Sequence, residues 1–184
     1  MIFDPDSFVA ECRRALTAPN PLAATRDVLA RVVCEPGAVV DALGEPTEAG
    51  VQALHHAEDL TVLNVVWAPN MALHPHNHEM WACIGTYRGR EDNTFYRRHG
   101  ATLRQHGGTS LTPGDTLPLG PDVIHSVSNP LDQFTAALHI YGGDFFAQPR
   151  SEWDPITFQE RPYDVEHTRQ VFRDANARWR QRTS

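Results

Sequence analysis

The chain has 184 residues, 41% of them apolar and 21% charged, with a net charge of −7. That is enough for one domain with its own core, and the interspersed acidic balance argues against nucleic acid as the main partner, because phosphate binding needs a basic patch. All sixteen basic residues are arginine, which excludes mechanisms built on a lysine Schiff base or a phosphate-cradling lysine.

The start, MIFDPDSFVAECRR, is acidic and then amphipathic, unlike the basic segment and apolar core of a secretory signal. No apolar run reaches membrane-spanning length, so no membrane partner is expected and the expected compartment is the cytoplasm. Residues 1–45 read as helical. Asp6 or Ser7 is placed to cap a segment through Thr17, with Phe8, Val9, Cys12 and Leu16 on one stripe, and a second segment follows the Pro/Asn break at 19–21 and runs to about Val33. Residues 51–141 change to short β-like runs between Gly, Pro, Asn and Asp: LTVLNVVW, MWACIGTY, NTFYRR, TSLTPGD, VIHSVSN and FTAALHIY. Many short strands with regular turn signals predict an all-β sandwich or barrel. In residues 142–184, GGDFFAQPRSEWDP reads as loop and DVEHTRQVFRDANARWR as a closing helix with Val165, Val171 and Phe172 on a partial stripe. The three cysteines, Cys12, Cys34 and Cys83, lie far apart and read as reduced thiols.

The chemistry concentrates in HPHNHEMWACIGTYRG. His74, His76 and His78 alternate, and a regular strand would put all three rings on one face. A barrel strand carrying His-x-His, with His125 on a later strand, is what an interior metal site requires. Glu79 then faces away from the ligands, and GREDNTFYRR reads as a solvated turn and strand face.

These blocks resemble the paired signatures of the cupin superfamily. The first, Gly, five residues, His-x-His, three or four residues, Glu, six residues, Gly, falls on Asn70, His76, His78, Ala82 and Gly89. The second, Gly, five residues, Pro-x-Gly, two residues, His, three residues, Asn, falls on Gly114, Gly120, Asp122, His125 and Asn129, with the proline and second glycine replaced. The resemblance implies a mainly β double-stranded β-helix barrel with N-terminal helices and a C-terminal helix, as one cupin domain over 1–184. It also implies a metal on His76, His78 and His125, with Ala82 standing where most cupins place a glutamate ligand.

Within that superfamily the stretch from about Leu60 to Tyr141 is similar to the thiol dioxygenases, the cysteine dioxygenase and 3-mercaptopropionate dioxygenase group. The similarity rests on W-x8-H-x-H from Trp67, W-x-x-x-G around Trp81 and Gly85, and ALHIY at 137–141. It implies iron(II), a small-molecule substrate and O2, with His139 and Tyr141 supplying outer hydrogen bonds; Ala137 replaces the serine of the family's Ser-x-His-x-Tyr. Family members that crosslink a cysteine to that tyrosine draw attention to Cys83, but a buried inert thiol is the preferred reading. The family's carboxylate-binding arginine has no counterpart in ALHHAEDL. His55 or His56, Arg97 or Arg98 from another strand, or a substrate that is not a small amino acid all remain open, and Trp81 reads as core or substrate platform. Zinc, nickel or manganese would instead suit a lyase or isomerase, a three-histidine cupin can also cleave diketone or flavonol-like compounds with oxygen, and a non-catalytic ligand-binding cupin is the third reading. Cupins often pair through barrel faces, so a homodimer is also expected.

Overall fold

The structure is a computed structural model and describes residues 2–183. Three helices lead: α1 (Pro5–Ala15), α2 (Pro21–Val33) and α3 (Pro36–Leu43). Each starts with proline, whose missing N–H costs nothing at a first helical position. The cap of α1 is Asp4, whose carboxylate accepts from the Ser7 amide at 2.9 Å, a few residues before the expected Asp6 or Ser7, because Pro5 already occupies the first helical position. Asn20 caps α2 in the same way through the Ala23 amide at 3.1 Å.

Eleven strands follow: β1 (Gly50–His56), β2 (Thr61–Trp67), β3 (Ala72–Asn77), β4 (Ala82–Arg88), β5 (Glu91–His99), β6 (Thr102–Leu111), β7 (Thr116–Leu119), β8 (Ile124–Ser128), β9 (Thr135–Tyr141), β10 (Ser151–Trp153) and β11 (Glu160–Pro162). Helix α4 (Val165–Thr183) closes the described chain. The strands form two antiparallel sheets, ordered β1-β2-β9-β4-β7 and β11-β10-β3-β8-β5-β6. This is the expected mainly β, double-stranded β-helix architecture, with helices at both ends of the chain. Strand β10 lies within the stretch read as loop; it has three residues, too few to display a period, yet it pairs Glu152 with His76 of β3.

Alternation sorts the five-stranded sheet. Leu63, Val65, Trp67, Ala82, Ala137 and Tyr141 belong to the barrel interior, while Val62, Cys83, Leu138 and Ile140 belong to the cluster under α1–α3. At Gly85 a Cβ would stand 2.7 Å from the Leu29 side chain, so α2 seats directly on β4. With that outer face covered by helices, the opposite face is left to line an internal site.

Two positions of the first signature show why it takes the residues it does. Asn70 has φ of 58°, a left-handed conformation that asparagine tolerates in place of glycine. Gly89 has φ of 72°, and a Cβ there would lie 2.2 Å from Thr135 Oγ1.

Candidate metal centre

His76 and His125 face each other across the antiparallel pair β3–β8, with ring centroids 4.7 Å apart. His78 follows just beyond the end of β3, its ring 5.2 Å from that of His76 and 4.9 Å from that of His125. All three are buried, and one ring nitrogen from each lies within 4.8 Å of the others. Nε2 of His78 and Nε2 of His125 stand 3.3 Å apart.

The outward nitrogens fix two of the rings. His76 Nδ1 bonds the His74 carbonyl at 3.0 Å, and His125 Nδ1 bonds Asn93 Oδ1 at 2.7 Å, which leaves each Nε2 for the interior. Burial, then the neighbouring imidazole of His125, push His76 and His78 well below the ordinary histidine value of 6.5. Burial, then His139, lower His125 to about 3. Neutral imidazoles with inward lone pairs are the form that binds a metal, so the donor set fits one. Ala82 is fully buried in the interior cluster and contributes no carboxylate.

His139 and Tyr141 share the inner face of β9. His139 Nδ1 and the Tyr141 hydroxyl are 3.1 Å apart, and the Tyr141 ring meets that of His78 edge-on at 5.0 Å. Burial raises the Tyr141 pKa far above its ordinary value, so it is a phenol and a proton carrier. On its other side His139 Nε2 meets Glu91 Oε2 at 3.2 Å. Glu91 also accepts from Trp67 Nε1 at 2.9 Å and from Asn93 Nδ2 at 3.0 Å.

The solvated reading of GREDNTFYRR is therefore corrected. Glu91 and Asn93 are 0% and 2% exposed, because residues two apart on β5 turn into the barrel. Burial opposes the Glu91 charge, yet His139, Asn93 and Trp67 outweigh it and hold its carboxyl below the usual range.

A cavity of about 400 Å³ opens from the three histidines toward β1 and α4. Its walls include Leu63, Val65, Leu73, Val127, Phe145 and Phe172, a largely apolar lining. Arg150 also lines it and is 8% exposed, its guanidinium carbon 4.1 Å from the centre of the Phe145 ring and 3.9 Å from that of Tyr163. Its NH1 donates to the carbonyls of Phe145 and Gln148, but Nε and NH2 are buried and find no acceptor among the described residues. A buried cation with two unmet donors is an anion site in chemical terms.

The other residues singled out in the sequence lie elsewhere. His56 is exposed and bonds Asp144 at 2.8 Å. His55 meets Arg13 at 3.4 Å. Trp81 packs over the Gly142 backbone, where a Cβ would stand 2.0 Å from its ring. Arg97 and Arg98 line a separate surface hollow with Glu79 and Asp122, and Arg98 bonds Glu160 and covers Trp153. None of His56, Trp81, Arg97 or Arg98 lines the histidine cavity. Cys83 is buried on the helix side, away from Tyr141, with its thiol pushed up to about 12 by burial, as an inert thiol should be.

His74 departs from the regular alternation. The β3–β8 register shifts between Leu73 and His76, so Leu73 and His76 both line the cavity while the His74 ring turns to Glu152 at 3.0 Å. His167 of α4 bonds the same carboxylate at 2.9 Å.

No protein-family model matches the sequence. Among solved structures, the chain is similar to an RmlC-like cupin with a double-stranded β-helix fold from Methanocaldococcus jannaschii, at 10% identity and a TM-score of 0.48 over 56% of this chain and 87% of that one. A cupin superfamily protein from Desulfitobacterium hafniense matches at 18% identity and a TM-score of 0.45, over 56% and 86%. An oxalate decarboxylase of Bacillus subtilis matches at 17% identity and 0.46, over 62% of this chain and 29% of that protein. The chemistry of the site rests on its own side chains.

Proposed function

We propose that the chain is a mononuclear non-haem iron(II) dioxygenase of the thiol-dioxygenase type, acting on a small molecule that carries a carboxylate and a second anionic donor such as a thiolate. The observation that carries this reading is the pairing, in one cavity, of three neutral imidazoles with a buried arginine whose Nε and NH2 have no partner. His76, His78 and His125 would hold the metal, and iron(II), when bound, supplies the redox chemistry by which dioxygen oxidises the anionic donor.

The chain's own residues do the rest. Arg150 takes the substrate carboxylate with its unpartnered Nε and NH2, while Phe145 and Tyr163 pack against its guanidinium. The apolar walls exclude water around the reacting end. His139 gives its Nε2–H to Glu91, so its Nδ1 accepts a hydrogen bond from the Tyr141 hydroxyl and holds that phenol beside the His78 ring.

The test is oxygen uptake by the iron-loaded chain with 3-mercaptopropionate and cysteine, against propanethiol, which lacks the carboxylate. Uptake with the thiol acids and little with propanethiol is expected. No uptake with any thiol or with diketones overturns the reading.

A further inference from the structure

We infer that Glu91, which touches no metal-binding histidine, dictates which nitrogen of His125 carries its proton, through a chain of hydrogen bonds whose donor and acceptor roles allow one solution. The inference rests on the three-histidine reading of the site. It concerns a residue that neither cupin signature includes.

Donor and acceptor roles alternate along this chain of side chains. Trp67 Nε1 can only donate, and it does so to Glu91 Oε2 at 2.9 Å. The carboxylate can only accept, so Asn93 must turn its amide nitrogen to Oε1, at 3.0 Å. Asn93 Oδ1 is then the atom facing His125, at 2.7 Å from Nδ1. An oxygen there requires His125 Nδ1 to be the protonated nitrogen, which leaves Nε2 bare and aimed at His78. Both Glu91 and Asn93 are buried, so water offers no alternative partner.

The same carboxylate receives His139 Nε2 at 3.2 Å, and His139 in turn reaches Tyr141. Glu91 thus sets the facing nitrogen of a metal ligand and the proton acceptor of the active-site phenol together. It is a positioning residue, acting through Asn93 on one side and His139 on the other.

Glu91→Gln keeps the shape and reverses the parity. Trp67 still demands an oxygen at its end, so the new amide nitrogen faces Asn93. Asn93 then turns its oxygen to that nitrogen and its own amide nitrogen to His125, whose Nδ1 must accept and whose proton moves to Nε2. A second change, Asn93→Asp, gives a residue that accepts on both sides and restores the first arrangement.

The experiment is nitrogen-15 NMR of the imidazoles in metal-free protein, with iron(II) and cobalt(II) titrations under anaerobic conditions. The wild type should show His125 protonated at Nδ1. E91Q should show it at Nε2 and bind either metal about 10- to 100-fold more weakly, the range typical of losing an outer hydrogen-bond partner. E91Q/N93D should return both readouts towards wild type, which a merely structural role for Glu91 would not produce. Wild-type His125 protonated at Nε2, an unchanged tautomer in E91Q, or a double variant no better than E91Q each overturns the inference; the first needs no variant to fold. Wild type that binds no metal yet shows the expected tautomers overturns the metal reading and leaves the Glu91 wiring standing.

Discussion

Two clusters in this barrel hold three potential metal ligands each, and they differ in who satisfies their lone pairs. His76 and His125 leave bare nitrogens for the interior, where His78 Nε2 stands 3.3 Å from that of His125. His74, Glu152 and His167 are as close together, but Glu152 also takes Arg161 Nε at 2.6 Å and the Asp164 amide at 3.2 Å. The second group is closed and charge-balanced. It ties α4 and β10 to β3, whereas the first is an open donor set at the end of a cavity. Ligand identity and proximity do not make a metal site; unspent lone pairs do.

The largest effect that would break this contrast is on metal content. His78→Ala should reduce one bound iron per chain to background in elemental analysis, while His167→Ala should leave the content unchanged. An iron lost equally from both variants would mean the clusters act as one.

Next in size is the latch itself. Glu152→Ala strands buried His74 and frees Arg161, and should cost about 3 kcal/mol of unfolding free energy in denaturant titrations, with metal stoichiometry intact.

The cation pair sharpens the comparison in kinetics. Arg150→Gln should raise KM for a thiol acid by about 10- to 100-fold, the weight of a charge-assisted hydrogen bond, and leave the response to propanethiol unchanged. Arg161→Gln should alter thermal stability and not KM.

Acid should distinguish the clusters more gently. In the unfolded chain His125 takes up a proton near its ordinary 6.5, but in the native barrel only near about 3. Between those values the unfolded state binds more protons, so metal-free protein should lose stability as pH falls from about 6.5 towards 3. Glu152 is opposed by burial but held below its ordinary 4.5 by the Asp164 amide, His74, Arg161 and His167. Its contribution is present above 4.5 and is lost only as pH falls through its lower native value. Urea melts across pH, with His125→Gln flattening the upper part of the loss, would check both.

What the sequence reveals of this site depends on how locally each residue is placed. The His-x-His spacing, His125 and the inward pair His139 and Tyr141 follow from strand alternation and motif distance. Asn70 and Gly89 follow from backbone demands that few residues meet. Glu91 and Asn93 were hidden because a charged run after a turn reads as solvated; their spacing of two, like that of His139 and Tyr141, was the available signal. The turn of His74 depends on a register shift that leaves no mark in composition. Arg150 lies beyond the last barrel strand read from the sequence, and its position depends on residues 145–163 folding back across the mouth.

The packing of Arg150 against two rings, with one edge left free, has a consequence for what occupies the cavity. Its two free donors, Nε and NH2, share one edge of the guanidinium, and such an edge can take two oxygens of one anion at once. The barrel should therefore discriminate by the number of oxygens a ligand can offer together as well as by its sign, favouring a carboxylate over its amide or alcohol counterpart.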